Sequence, residues 1–216
     1  MRVLDLFTGT GSVAKVAREM GCEVITLDID AKCKPDLCTN ILEFDYRAYP
    51  INYFDIIWAS PDCRTFSQAR RSNLGRVING ELCTAETLLR DVSNIGLPIL
   101  RRTEEIIDYL KPRAYFIENP ATGSMKDYIA NRDVYTFDYC MYGFPYRKRT
   151  HIWSNIKLSS LLCDGSHMID NKHIMTAIGS SKSQKGQGGG ASKRERYAIP
   201  NKLITYLLDQ ALLNVD

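Results

Sequence analysis

The sequence of 216 residues has little that would place it outside a cell or in a membrane. Its seven cysteines are an odd number and include no closely spaced pair of the kind that zinc sites use, so we expect reduced thiols and no bound metal. Cys33 and Cys38 come nearest to such a pair. No stretch approaches the roughly 20 apolar residues of a membrane span, and no signal peptide precedes the first predicted strand. These absences favour a cytoplasmic protein without a membrane partner.

The sequence also lacks a large excess of positive or negative charge, since its formal net charge is +3. So mild a balance neither requires nor excludes a nucleic-acid partner. The distribution is more informative, since basic residues form three clusters, within 64–76, 147–149 and 182–196. Any one cluster is equally well a solvated face. Three clusters beside candidate catalytic motifs favour a groove that follows a phosphate backbone.

Short apolar segments alternate along the chain with segments of helical periodicity. The predicted strands are 2–7, 23–27, 54–59, 114–117 and 134–139. Helical periodicity runs from about 84 to 110, where Pro98 should break or kink the helix, and a final helix is predicted at 201–213. This alternation predicts an α/β fold with a parallel sheet, and the length favours one domain with at most a small appendage.

A glycine-containing turn at 8–11 follows the first strand and precedes a helix. Such a turn offers backbone N–H groups and the positive end of a helix to a polar ligand, although the glycines do not complete a dinucleotide-binding motif. Asp28 ends the next strand, where a carboxylate accepts hydrogen bonds from ribose hydroxyls or caps a helix. Ile29 can face an adenine ring and Asn40 can bond its edge. Because no Gly-Lys-Ser/Thr loop is present, a nucleoside cofactor fits better than a triphosphate.

Two further strands end in residues that can perform chemistry. Cys63 follows the strand at 54–59, and beside Arg64 its pKa can be lowered so that it acts as a thiolate nucleophile, whereas an average buried cysteine is inert. Glu118 ends the strand at 114–117 and can donate a proton to a base ring, or it simply forms a turn. Ligands of parallel sheets bind at the carboxyl edge of the strands. The pair is therefore more specific than either residue alone.

Six segments now stand in order along the chain: DLFTGTGS at 5–12, DID at 28–30, SPDC at 60–63 followed by Phe66 and Ser67, ENP at 118–120, YGFPYRKR at 142–149 and RYAIPN at 196–201. This series resembles the motifs of the cytosine carbon-5 DNA methyltransferases and covers nearly the whole chain. The resemblance implies a Rossmann-like S-adenosylmethionine-dependent methyltransferase fold with a mostly parallel sheet. The small size is similar to that of phage or other viral members.

The resemblance also implies a chemistry and a partner. Cys63 would add to carbon 6 of a cytosine flipped out of double-stranded DNA, and Glu118 would support protonation at ring nitrogen 3. Arg149, favoured slightly over Arg147, would contact the base carbonyl. The cofactor would be S-adenosylmethionine, and the protein is expected to act as a monomer. The residues that would line the cofactor are Asp5, Phe7, Thr8, Gly9, Thr10, Gly11, Asp28, Ile29, Asn40 and Pro61.

Three departures from the family pattern affect these expectations. Asp62 occupies the position before the nucleophile where proline is usual, and its charge would oppose thiolate formation unless it is paired or turned away. The usual Gln-x-Arg-x-Arg is replaced by YRKR at 146–149, which leaves the arginine register open. Only about 40 residues remain for target recognition. We therefore divide the chain into a catalytic core at 1–154, a small target-recognition and flexible loop region at 155–194, and a C-terminal helix at 195–216.

Other functions stay open at this point. Methylation of an exocyclic amino group would use the same fold, but it needs an aromatic ring where Cys63 stands. A catalytically weakened DNA-binding protein is a second alternative, if Asp62 silences the thiol. An RNA substrate is a third, because basic loops and stacking serve both nucleic acids.

Overall fold

The computed structural model describes residues 1–166, 168, 173 and 192–213. The strands are β1 (Arg2–Leu6), β2 (Glu23–Asp28), β3 (Leu37–Cys38), β4 (Ile56–Ala59), β5 (Val77–Ile78), β6 (Glu81–Leu82), β7 (Ala114–Pro120), β8 (Asp133–Asp138) and β9 (Arg149–Ser154). The α-helices are α1 (Ser12–Glu19), α2 (Ala85–Asp91), α3 (Leu97–Leu110), α4 (Lys193–Tyr197) and α5 (Asn201–Leu213). The chain therefore has the predicted α/β character.

Seven of these strands form one sheet with the order β3-β2-β1-β4-β7-β9-β8. The pairs from β3 to β7 are parallel, whereas β9 runs antiparallel to both β7 and β8. The expectation of a mostly parallel sheet is confirmed. The sequence analysis assigned no strand to Arg149–Ser154, because four of its six residues are polar. Its pairing with two neighbours supplies the backbone hydrogen bonds that define the strand.

Apolar side chains on both faces of the sheet explain why the central strands read as continuous apolar runs. Val3 and Trp58 pack towards α1 and α5, while Leu4 and Ile57 pack on the opposite side with α3. Successive side chains of a strand point to opposite faces, so a sheet covered by helices on both sides needs apolar residues at every position. The two cores fix the strand ends that carry the polar motifs.

The long helical segment before β7 is interrupted as predicted. A π-helical turn, Val92–Gly96, separates α2 from α3, and Pro98 lies in the first turn of α3, where its missing N–H is tolerated. The interruption brings Gly96 against the loop that follows Cys63. A Cβ atom on Gly96 would lie 2.4 Å from Thr65 Oγ1 and 2.8 Å from Phe66 Cζ. Only glycine therefore permits this close packing.

The segment from Ile199 to the end of α5 packs against α1, the first helix of the chain. The bounds of α5 agree with the helix predicted at 201–213, and α5 packs against α1. Before it, the Ile199 backbone N–H donates to Ser12 Oγ at 3.3 Å. Most of the predicted loop region at 155–194 lies outside the described residues. Within the described part of the chain, no helix has both the length and the apolar character needed to cross a membrane.

Candidate active site

The carboxyl ends of β1, β4 and β7 meet at one edge of the sheet and open into a cavity of about 1130 Å³. This volume slightly exceeds the range of about 300–1,000 Å³ typical of small-molecule pockets. Its wall joins six separate parts of the chain. They are the glycine turn with the start of α1, residues 32–34, residues 60–63, residues 118–120, residues 147–149, and Arg196, Tyr197 and Ile199.

The cavity brings together most of the residues singled out from the sequence. All four predicted catalytic residues line it, namely Cys63, Glu118, Arg147 and Arg149. Six of the predicted cofactor residues do so as well, namely Asp5, Phe7, Thr8, Gly9, Thr10 and Pro61. The remaining four, Gly11, Asp28, Ile29 and Asn40, are not part of its wall. The roles of all these residues stay predictions.

Asp28 lies beside the glycine turn and is bonded to it. Its carboxylate accepts hydrogen bonds from the backbone N–H groups of Gly9 and Asp30, both at 2.9 Å. The turn itself needs unusual backbone angles, since Phe7, Gly9 and Gly11 all have positive φ. Asp28 therefore stabilises the turn and has two of its acceptor sites already used.

The two residues expected around adenine also have other surroundings. Ile29 is 69% exposed, and Asn40 accepts a hydrogen bond from the Leu42 backbone N–H at 3.1 Å. Asn40 thus shapes its own loop in this structure. An apolar side chain as exposed as Ile29 remains available to a planar ligand.

Asp5 lies at the base of the cavity and is almost fully buried. Burial raises the pKa of this carboxyl to about 7, against the lowering effect of the hydrogen bond from Thr8 Oγ1, which is 2.8 Å from Asp5 Oδ2. Thr8 is thereby held at the start of the glycine turn. The pair ties the end of β1 to the turn.

Asp62 is paired within its own loop. The Arg64 Nε donates to Asp62 Oδ2 at 2.6 Å, and the Arg64 backbone N–H donates to Asp62 Oδ1 at 2.9 Å. The guanidinium therefore offsets the charge that replaces the family's proline. Asn119 holds the same loop from the next strand, because its Nδ2 donates to the Pro61 carbonyl at 3.0 Å. The nucleophile loop is thus fixed at both of its sides.

The expected lowering of the Cys63 pKa by Arg64 is wrong for this structure. Burial raises the pKa of the Cys63 thiol, and the charges of Glu118 and Asp62 raise it further, while Lys148 lowers it. Arg64 instead forms an ion pair with Asp62. In the free protein Cys63 is therefore mainly a neutral thiol at pH 7, and a thiolate has to form as substrate is engaged.

Replacing Asp62 with asparagine should make Cys63 more reactive. The substitution removes a charge that raises the thiol pKa and releases Arg64, so we expect iodoacetamide to alkylate Cys63 a few-fold faster at pH 8. The rate is measured by mass spectrometry, with Asp45→Asn as a control at an exposed aspartate. Unchanged or slower alkylation would show that Asp62 does not control the thiol.

Glu118 has two partners that the sequence analysis did not identify. The Tyr139 hydroxyl donates to Glu118 Oε1 at 2.9 Å, and Lys148 Nζ lies 3.8 Å from the same oxygen. Burial and the Glu118 charge hold the pKa of Tyr139 well above its usual value, so its hydroxyl remains a donor. Lys148 also lies 4.7 Å above the Tyr139 ring.

The two candidate base-contacting arginines share one buried anchor. Arg149 bonds Asp138 through Nε and Nη2 at 3.0 and 2.8 Å, and Arg147 Nε lies 3.3 Å from Asp138 Oδ2. Burial opposes ionisation, but the Arg149 hydrogen bonds and both positive charges lower the pKa of Asp138. Because the same carboxylate holds both side chains at the cavity, the arginine register stays open.

Tyr139 and Lys148 are thus the site residues that sequence reasoning missed. Lys148 carried a weak signal, since it lies between the two arginines where the family pattern was already ambiguous. Tyr139 carried none, because its contact with Glu118 joins the turn after β8 to β7, and these segments are distant in sequence. Tyr197 was named in the sequence analysis only as part of the motif at 196–201. Its partial burial, together with the nearby Cys63, raises the pKa of its hydroxyl.

Comparison with known proteins gives a relative that matches nearly the whole chain. No protein-family model matches the chain. It is 38% identical over 223 residues to the protein named "Probable DNA (cytosine-5)-methyltransferase" of Frog virus 3 (isolate Goorha), covering 97% of this chain and 99% of that one.

Solved methyltransferases have a similar fold at low sequence identity. The Entamoeba histolytica methyltransferase EhMeth aligns with a TM-score of 0.51 and 15% identity over 75% of this chain and 57% of its own. The S. pombe Dnmt2 methyltransferase aligns with a TM-score of 0.46 and 14% identity, covering 75% and 53%. The chain thus spans little more than half the length of these two proteins. From its similarity to the Frog virus 3 protein over nearly its whole length, the chain belongs to the DNA (cytosine-5)-methyltransferase family.

Proposed function

We propose that this protein transfers a methyl group from S-adenosylmethionine to carbon 5 of cytosine in DNA. The observation that carries the proposal is one cavity whose wall contains both the glycine turn and the pair Cys63 and Glu118. The Frog virus 3 relative is named for the same activity.

The cavity has room for a nucleoside cofactor beside a base. Members of this family use S-adenosylmethionine, which supplies an electrophilic methyl group when bound. Phe7, Thr8 and Pro61 line the side next to the glycine turn and would contact it. Asp5 would support this side by holding Thr8. Ile29 and Asn40 would take part only if the cofactor extends past the cavity wall towards β2.

Cys63 and Glu118 would act on opposite parts of one ring. The Cys63 thiolate forms a bond to carbon 6 while ring nitrogen 3 takes a proton from Glu118, so no negative charge accumulates on the ring. Carbon 5 would then accept the methyl group, whose bond to the cofactor sulfur breaks. Transfer of the carbon 5 proton to water, and of the nitrogen 3 proton back to Glu118, would expel the thiolate and restore the aromatic ring. The Tyr139 hydrogen bond and the Lys148 charge would keep the Glu118 carboxyl in place.

DNA would reach this chemistry only after one base leaves the helix, because Cys63 and Glu118 are enclosed in the cavity. Arg147, Arg149 and Arg196 line the same cavity and would contact the flipped nucleotide and its phosphates. The division into residues 1–154, 155–194 and 195–216 stays a prediction. So do double-stranded DNA as the preferred form, action as a monomer and a cytoplasmic location.

The test is covalent trapping. The protein is incubated with S-adenosylmethionine and duplex DNA containing 5-fluorocytosine, whose fluorine blocks the final elimination. We expect a protein–DNA adduct that survives denaturation with the wild type and is absent with Cys63→Ala. DNA of varied sequence should be used, because the target sequence is not known. Absence of an adduct on DNA that the protein binds would overturn the proposal.

One observation favours a second candidate, a protein that binds cofactor and DNA without efficient catalysis. Burial, Glu118 and Asp62 all raise the pKa of Cys63. In that case S-adenosylmethionine and DNA would both bind, measured by calorimetry and by fluorescence anisotropy, while no adduct formed between pH 7 and 9. An adduct whose yield rises with pH would instead identify a slow but competent nucleophile.

A further inference from the structure

A second group of chemically reactive side chains lies outside the cavity. The cluster lies at the carboxyl end of β8 and consists of Cys140, Cys163 and His173. One ligand atom from each residue lies within 4.8 Å of the other two. Cys140 is buried, and the other two are half-buried. None of the three lines the cavity that holds Cys63. The proposed methyl transfer therefore makes no use of them.

The three residues come from two separated parts of the chain. Cys140 lies in a 3₁₀ turn, Tyr139–Tyr142, directly after β8, whereas Cys163 and His173 follow β9. The contact is supported by the backbone, because the Cys163 N–H donates to Asp138 Oδ2 at 2.9 Å. An isolated parallel β-bridge between Phe137 and Leu161 also joins this segment to β8. The thiol of Cys163 is thus held beside β8 without help from a ligand.

The spacing of the ligand atoms fits a tetrahedral metal ion. With Zn–S bonds of about 2.3 Å and Zn–N bonds of about 2.0–2.1 Å, the edge from sulfur to nitrogen in a tetrahedron is about 3.6 Å. The distance from Cys163 Sγ to His173 Nε2 is 3.6 Å. Two thiolates and an imidazole are also the donor set that favours Zn²⁺ over Mg²⁺ and Ca²⁺, which bind oxygen.

We propose that Cys140, Cys163 and His173 bind one zinc ion, which holds the chain after β9 against the end of β8. A further side chain or a water molecule completes the tetrahedron. The ion acts where Asp138 anchors Arg147 and Arg149, since Cys163 bonds the same carboxylate. It therefore also fixes the position of the two arginines at the cavity. This role of the ion is structural, and the site can be tested whether or not the protein transfers methyl groups.

A reactive thiol is the main alternative use of these cysteines. Cys140 is buried, which shields its thiol from reagents in solution, whereas a metal ion is reached through the half-buried Cys163 and His173. A bound cation displaces thiol protons, so the same pair becomes a strong ligand set. Spacing along the sequence gave no sign of the site and favoured no metal, because the fold alone brings Cys140 near Cys163.

The first test is the metal content. The full chain is produced without a metal-affinity tag in zinc-supplemented medium, and zinc is measured by elemental mass spectrometry. We expect one zinc ion per chain in the wild type and a large loss of zinc in Cys163→Ser and in His173→Ala. The matched control is Cys33→Ser/Cys38→Ser, which removes the two cysteines closest in sequence and should retain the zinc. Wild type with no more zinc than Cys163→Ser would overturn the proposal.

A second measurement does not depend on how well the variants fold. Zinc is removed from the wild type by a chelator and Co²⁺ is added, which should give the ligand-field and thiolate charge-transfer absorption of a tetrahedral site with sulfur ligands. X-ray absorption of the zinc form should show two sulfur neighbours. Alkylation under denaturing conditions should modify all seven cysteines. A spectrum without thiolate bands, or a disulfide between Cys140 and Cys163, would contradict the site even if methyl transfer is observed.

Discussion

Serine in place of Cys63 is expected to lower the rate of methyl transfer to DNA by at least about 10⁴-fold. A serine hydroxyl is similar in size but far less acidic than a thiol, so it forms the anion that attacks carbon 6 far less readily. The loop contacts made by Asp62 and Asn119 do not involve the Cys63 side chain, so the fold should be kept. Single-turnover transfer of a labelled methyl group to duplex DNA measures the loss.

Two comparisons make this result specific. Cys38→Ser changes an exposed thiol that is not part of the cavity wall and should leave the rate unchanged within about twofold, as expected for a surface substitution. Cofactor binding by Cys63→Ser, measured by calorimetry, should also be close to that of the wild type. Methyl transfer that survives in Cys63→Ser would point to an exocyclic amino group as the acceptor, since that chemistry needs no covalent adduct.

Glutamine in place of Glu118 is expected to lower the same rate by about 10²–10³-fold, within the range of general acid catalysis. The amide cannot deliver a proton to ring nitrogen 3, but its oxygen can still accept the Tyr139 hydrogen bond, so the geometry is retained. The measurement is again single-turnover methyl transfer, at saturating DNA. The free energy of unfolding should change by less than about 1 kcal/mol, because the hydrogen bond is replaced and not lost.

Tyr139→Phe separates proton delivery from positioning. This variant keeps the Glu118 carboxyl but removes the hydrogen bond from the Tyr139 hydroxyl, and we expect the rate of methyl transfer to fall roughly tenfold, corresponding to about 1.4 kcal/mol for one hydrogen bond. A loss in Glu118→Gln no larger than that in Tyr139→Phe would mean that Glu118 only shapes the cavity.

Much of the sheet could be predicted because its signals are local. Continuous apolar runs predicted β1, β2, β4 and β7 within a few residues, and the periodicity of α5 gave its bounds directly. The motifs at the ends of β1, β4 and β7 then had to meet, because parallel strands end at one edge. Cys63 and Glu118 share a cavity for this reason.

The parts that escaped prediction depend on contacts between distant segments. β9 enters the sheet between β7 and β8, which no local pattern indicated. The pKa of Cys63 rises because the site buries the thiol beside Glu118, whereas the neighbouring arginine turns to Asp62. The Asp28 carboxylate, expected to bind a ribose or to cap a helix, also accepts hydrogen bonds from the Gly9 and Asp30 N–H groups, and its contact with a ribose stays a prediction. Each outcome reflects competition among charged groups that only the fold brings together.

The hydrogen bond between Ile199 and Ser12 has a consequence for how the protein is made. It joins residues separated by 187 positions, and it closes the cavity next to the glycine turn. Contacts of such sequence separation form late in folding, since the intervening chain has to be ordered first. On a ribosome, the sheet can begin to assemble while residue 199 is still to be synthesised. The closed pocket and the core face that α5 covers can therefore form only after this segment is translated, and cofactor affinity should appear only then.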